Sequence, residues 1–240
     1  IYLSFSFLIL VMYKENFKNG VFYLLMVIFP LGVIQTMSRA GFGTLLIVIL
    51  FLIIHRVKKV RLKMLFLVVF LFSIILAFTV HPRLHVMAES LVEKGAELNP
   101  KGMDGLMLRL LSWDAAVDVI MENPIYGVGI ADAQDSLDKV YMYKGYVHPL
   151  QRNLNAHNQF LQIYLECGIL GLLVLLFLFW LLIKSIKGAL GEHRVLLISF
   201  TALMVFNFMF ESMLSRYLGI AFFSFFFCLL MSGIKSKKQF

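Results

Sequence analysis

Long apolar stretches separated by short basic ones dominate the chain. Hydrophobic runs cover residues 1–12, 21–37, 40–54, 64–80, about 168–183, 195–213 and 217–233. Most approach the ~20 residues that a helix needs to cross a hydrocarbon core, and the shorter ones extend through tolerant flanks. The pattern predicts an all-α fold, a polytopic integral membrane helical bundle of about seven helices. The first run has no initiating Met and no basic region ahead of it, so it reads as a truncated transmembrane helix and not as a signal peptide. On that reading residues 1–240 form a single transmembrane domain, the carboxy-terminal part of a longer protein.

Between the fourth and fifth runs the pattern changes. Residues 81–158 form a long polar connection that carries 10 of the 14 acidic residues. Within it, Leu106, Leu110, Trp113, Val117 and Ile120 recur at three- and four-residue steps, which predicts an amphipathic helix over 105–122 lying along the membrane surface. Asn123-Pro124-Ile125-Tyr126-Gly127-Val128-Gly129 follows; its proline stops the helix and its glycines permit a turn or a close backbone approach. A phosphate-loop reading has little support, because neither a Gly-Lys-Ser/Thr continuation nor a strand-turn-helix setting is present.

Composition reinforces the membrane reading: 60% of residues are hydrophobic, 15% are charged, and mean hydropathy is +0.86. The net charge of +8 could suggest nucleic acid. However, segments 14–20, 55–63, 184–194 and 235–240 hold 13 of the 22 Lys and Arg residues, and they alternate along the chain as seven crossings require. The positive-inside bias therefore accounts for the charge, no nucleic-acid partner is implied, and the 81–158 connection faces outward. Cys167 and Cys228 lie in or beside apolar runs, far apart in sequence, and read as lone packing thiols. His81 and His85 have a metal-compatible spacing, but Pro82 between them argues against a helical pair, so no metal site is assigned. Cys-x-x-Cys, His-Glu-x-x-His and Gly-x-Ser-x-Gly are absent from the sequence.

Three residues combine chemistry with position. Arg39 sits in a tight outward junction behind Ser38, a candidate cap for the next helix. It is either an interfacial anchor or a forked donor for phosphate oxygens at a helix amino terminus. Arg109, one turn before Trp113, suits a surface ion pair with nearby Asp114 or an anion site. His157 opens the segment Asn155-Ala156-His157-Asn158, which then runs into continuous apolar sequence. It is either a cap or a neutral imidazole able to accept a proton.

Read together, these pieces resemble the bacterial O-antigen ligase and polymerase family. His157-Asn158, nine residues, then Gly168-Ile169-Leu170-Gly171 follows its His-[Asn/Ser/Gln]-x9-Gly-x-x-[Gly/Thr/Tyr] signature. Ser38-Arg39-Ala40-Gly41 resembles its Ser-Arg-Gly/Ala turn, and Arg109, Trp113 and the Asn123 to Gly129 stretch resemble its "R…W…NPxxGxG" loop. Glu211, Arg216 and Gly219 resemble its last "E…R..G" junction, so that the likeness extends from about Gln35 to Phe226. The resemblance implies a C-type glycosyltransferase fold in the bacterial inner membrane, with 81–158 as a periplasmic loop and an active face toward the periplasm. It implies an undecaprenyl-diphosphate-linked glycan as donor, lipid A-core or another glycan or protein as acceptor, membrane lipid as surroundings, and neither cofactor nor metal. His157 would be the catalytic base; Arg39, Arg109, Asn158, Ser38, Arg216 and Glu211 would bind substrate. Gly168 and Gly171, one turn apart, would let a neighbouring helix pack closely and fix the His-bearing end.

Repeat-unit polymerase is the alternative within the family. A lipid-linked-sugar transporter or flippase is the alternative from another class. Against transport, the unusual polar residues gather at one outward surface and the spans are nearly free of charge.

Overall fold

The computed structural model describes residues 1–36, 38–80 and 98–233, without the side chains of Arg39 and residues 73–80. His81 and His85, and the last basic segment at 235–240, lie outside the described residues. The described chain is helical: α1 (Tyr2–Met12), α2 (Asn19–Gln35), α3 (Arg39–Arg56), α4 (Val60–Val80), α5 (Gly105–Glu122), α6 (Ala133–Lys144), α7 (Val147–Gln151), α8 (Gln159–Gly188), α9 (Gly191–Phe210) and α10 (Tyr217–Ser232). Two of these, α8 and α9, are long and apolar enough to cross a membrane; α1, α2, α3 and α10 are apolar but shorter. The chain divides into two compact units, Ile1–Glu93 with Leu190–Leu203, and Lys94–Ala189 with Met204–Phe240.

In the first unit α1 is the core element, with Phe5, Leu8 and Leu10 buried against α2 and α3. Arg56, at the end of α3, donates to the Met12 carbonyl at 2.7 Å and pairs with Glu192 at 3.1 Å. Ser38 caps α3 as the sequence suggests: its hydroxyl accepts from the Gly41 amide at 3.1 Å.

The second unit is built around α5 and α8. Asp104 caps α5 by accepting from the Leu106 and Met107 amides, and the helix ends at Asn123 before Pro124. The helix thus has the expected bounds, but its buried face is displaced. Met107, Leu108, Leu111, Ser112, Ala115, Ala116, Val119 and Ile120 are buried, whereas Val117 is exposed and Leu106, Leu110 and Trp113 are half-buried. The packed stripe combines the large Met107, Leu108, Leu111, Val119 and Ile120 with Ser112, Ala115 and Ala116, whose small side chains let α6 and α8 approach closely. Trp113 packs on Phe210, with ring centroids 6.3 Å apart.

Lys144 at the end of α6 reaches back to both Asp114 and Asp118 on α5, and the Tyr146 hydroxyl donates to Asp114 at 2.7 Å. Burial alone would push the Asp114 carboxyl up, but the bonds from Lys144 and Tyr146 hold it below its ordinary range. At the other end of the unit, Phe160, Phe179, Phe208 and Phe223 form a ring cluster joining α8, α9 and α10. Phe179 and Phe208 meet edge to face at 5.6 Å, and Phe208 and Phe223 lie 5.7 Å apart.

Candidate functional site

α8 is not continuous. Gly168 has φ 63° and ψ −162°, which breaks the helix one third of the way along. Three backbone groups freed by the break find partners in the Asn123 to Gly129 stretch. The Val128 amide donates to the Leu165 carbonyl and the Gly129 amide to the Glu166 carbonyl, both at 2.9 Å, while the Ile169 amide donates to the Pro124 carbonyl at 3.1 Å. A Cβ on Gly168 would collide with the Ile125 carbonyl oxygen. Gly168 and Gly171 therefore do not provide the helix-packing face expected of them: Gly168 admits loop backbone, and a Cβ on Gly171 would meet Cys167 of its own helix at 2.5 Å. The proline-glycine stretch is a structural turn, and the break in α8 is its seat.

This seat fixes the amino-terminal segment of α8 and, with it, His157. Asn158 is the cap of α8; its Oδ1 accepts from the Phe160 amide at 2.9 Å and the Leu161 amide at 3.2 Å. His157 is not itself the cap. It precedes the cap in the left-handed region at φ 45°, a conformation with a steric cost for a side chain of its type, and its amide donates to Asn155 Oδ1 at 3.0 Å. The Ala156 amide beside it is held by Gln162 Oε1 at 2.9 Å.

The imidazole faces the α9–α10 junction. Its Nδ1 lies 3.5 Å from Glu211 Oε2, the outer limit of a hydrogen bond, and is buried with no nearer partner among the described residues. Glu211 Oε1 accepts from Arg109 Nη2 at 2.7 Å. Arg109 also donates to the Phe210 carbonyl through Nε and to the Gly105 carbonyl through Nη1, both at 3.1 Å. Arg109 thus pairs with Glu211 across 102 residues of sequence, and not with Asp114 on its own helix. Burial by itself would push the Glu211 carboxyl up; the His157 contact and the Arg109 charge outweigh it and leave the group below its ordinary range.

The junction that presents Glu211 is pinned at two points. Gln159 Oε1 accepts from the Leu214 amide, tying the junction to the first turn of α8. Gly219 lies so close to the Met213 carbonyl that a Cβ there would collide with its oxygen. Ser212, next to Glu211, has a buried hydroxyl without a partner among the described residues. Arg216 stands exposed at the start of α10 with no ion pair among the described residues.

The second unit therefore brings Arg109 and His157 to one carboxylate, Glu211, with Asn158 next to His157 in the chain and Arg216 on the same junction as Glu211. Ser38 and Arg39 belong to the first unit. Gln159 and Gln162 escaped the sequence reading; two glutamines three apart in the first turn of a helix this apolar were the available signal. Among the described residues no three His, Cys, Asp or Glu side chains gather as a metal ligand set.

The sequence profile of the O-antigen ligase family matches residues 24–176. The chain belongs to this family. The match includes Ser38, Arg39, Arg109 and residues 157–171 but ends before Glu211 and Arg216; Glu211 joins Arg109 and His157 through its contacts with both. A Rickettsia conorii protein, whose inferred name is polysaccharide ligase, is 38% identical over 86 residues, 33% of this chain and 20% of that protein. The chain spans about a fifth of that relative's length.

Proposed function

We propose that this protein is a membrane glycosyltransferase of the ligase type that moves a glycan from undecaprenyl diphosphate to an acceptor hydroxyl, with His157 as general base. The observation that carries the reading is the linked trio His157, Glu211 and Arg109, assembled beside the amino terminus of an apolar helix. Only 17% of the most apolar window of α8 is buried, whereas the core helix of a soluble protein would be mostly covered. Leu170, Leu173, Val174, Phe177 and Trp180 stand exposed and call for lipid around them.

In the proposed step the acceptor oxygen bonds to the anomeric carbon as that carbon's bond to the diphosphate oxygen breaks. Nε2 of His157 receives the hydroxyl proton. Glu211 accepts from Nδ1–H, selects that tautomer and stabilises the imidazolium, the part a buried carboxylate plays beside a catalytic histidine. The diphosphate leaves with the electron pair of the broken bond, and its charge needs fixed cations. Arg109 keeps one free N–H on each terminal nitrogen after its three bonds, and Arg216 is uncommitted. Asn158 retains its amide N–H groups. Arg39, with Ser38 capping its helix, carries over as a phosphate ligand on the family resemblance. No step calls for a metal. Lipid A-core or a related glycan is the proposed acceptor, and the periplasmic face of the inner membrane the proposed location.

The test is transfer by purified full-length protein in lipid, supplied with lipid-linked glycan and candidate acceptors. His157→Ala is expected to lower transfer by roughly 10²–10⁴-fold. Arg216→Ala is expected to raise the donor KM about tenfold. A product extended by further repeat units, without transfer to lipid A-core, would instead assign polymerase. Intact transfer in His157→Gln would remove the base assignment.

A further inference from the structure

The second unit holds a polar cleft that the catalytic trio does not use. It has a volume of about 780 Å³ and lies between the end of α5, the Asn123 to Gly129 turn and α6. Its polar lining comes from Asp118, Glu122, Asn123, Ser136, Lys139 and Tyr143, over an apolar floor that includes Val128. Asp118 is held by Lys144, while Glu122, Asn123, Ser136 and Lys139 have no side-chain partner among the described residues. The Tyr143 ring is 90% exposed at the rim.

We infer that this cleft is a glycan-binding subsite, which takes pyranose units of a substrate chain at a distance from the reacting sugar. A pyranose presents hydroxyls around its edge and a C–H surface on its face. The cleft offers what each requires: carboxylates that accept from hydroxyl pairs, amide and ammonium donors for ring and hydroxyl oxygens, and an aromatic face for stacking. A wholly acidic lining would suit a cation, and a wholly apolar one a lipid chain; the mixture with an open aromatic rim suits neutral or weakly charged sugars. The volume falls within the ~300–1,000 Å³ typical of small-ligand sites and admits more than one ring. Val128 in the floor donates its amide to Leu165 of α8, so cleft and His157 are built on one frame. Binding energy gained on remote sugars can then hold the reacting end in position.

The identity of the ligand rests on the transfer reading; the subsite itself is tested separately by binding. Full-length protein in lipid is titrated with two probes, glycan freed by mild acid from the host's lipid-linked pool and the deacylated oligosaccharide of the acceptor, with saturation-transfer NMR as readout. Tyr143→Ala and the double variant E122Q/K139A change exposed side chains and should fold. The expected result is that one probe binds about tenfold more weakly in both variants, that KM for the corresponding substrate rises by a similar factor, and that kcat changes less than about twofold. The probe that responds identifies donor or acceptor chain as the occupant. His157→Gln, inactive in transfer, should still bind the probe. If wild-type protein binds glycan and the cleft variants weaken it while no transfer occurs with any acceptor, the transferase reading falls and the subsite stands. Undiminished binding of both probes in both variants, or no glycan binding by the wild type, overturns the subsite.

Discussion

His157 occupies a backbone position that its side chain does not favour. A left-handed φ at a non-glycine residue costs on the order of 1 kcal/mol, and asparagine tolerates the region better than histidine. The strain is kept in place by bonds on both sides, from Gln162 to Ala156 and from Asn158 into α8. His157→Asn should therefore leave the thermal midpoint unchanged or raise it, while glycan transfer falls at least about 10²-fold. A variant that loses stability and activity together would make His157 a structural residue. Glu211 gives the complementary case through pH. Its carboxyl titrates below its ordinary 4.5 in the folded protein, so its contribution to stability is complete above that value and disappears as pH falls through the lowered one. The melting difference between wild type and Glu211→Gln should thus shrink as pH drops below about 4.5, and a difference that grows there would contradict the ion pair with Arg109.

At the scale of elements, α5 and α8 show which signals a sequence carries. The existence and bounds of α5 were legible because Asp104, a periodic apolar run and Pro124 mark its start, body and end. Its buried face was legible only in part: Ile120 lies on it, but Leu106, Leu110, Trp113 and Val117 do not, and Ser112, Ala115 and Ala116, which a periodicity of large apolar residues does not count, do. Likewise the glycine spacing in α8 pointed to a special backbone position, yet spacing alone cannot separate close helix packing from a break paired to a distant loop. The pairing of Arg109 with Glu211 is hidden by the same distance in sequence, although each residue is a candidate on its own. Two pairs of substitutions separate these alternatives. Gly168→Ala forces a Cβ into the Ile125 carbonyl at a left-handed position and should cost about 1–3 kcal/mol or more and dislodge the turn, whereas Gly188→Ala meets open space and should be neutral within about 0.5 kcal/mol. On α5, Ala115→Leu should destabilise by about 1–3 kcal/mol through overpacking, and Val117→Ser should change little. Equal melting points for the members of either pair would return the argument to the helix-packing and large-residue readings.

For the whole molecule, the decisive physical question is what covers the apolar surface of α8. Beyond its break at Gly168, α8 runs as continuous helix over residues 169–188 and at ~1.5 Å per residue spans ~30 Å, enough to cross the hydrocarbon core of a bilayer. Its two ends differ in kind. One end carries His157, Asn158 and the acidic residues packed around α5 and α6; the other carries Lys184 and Lys187. On the proposed reading, positive-inside bias would set the basic end in the cytoplasm and the trio at the opposite face, where the proposed polyprenyl-diphosphate donor and outward-facing acceptor would meet. Single cysteines test this within one unit, in a background from which Cys167, Cys228 and any other cysteines have been removed. Asp135→Cys on α6 and Lys187→Cys near the end of α8 are both exposed. With the outer membrane permeabilised and the inner membrane intact, an impermeant maleimide should label the cysteine at 135 and spare the one at 187, which should react only after the cells are broken. Labelling of the cysteine at 187 alone would invert the orientation and place the trio away from any outward acceptor. Equal labelling of both in intact cells would show that α8 does not separate two compartments, and the exposed Leu170, Val174 and Phe177 would then have to be covered by protein and not by lipid.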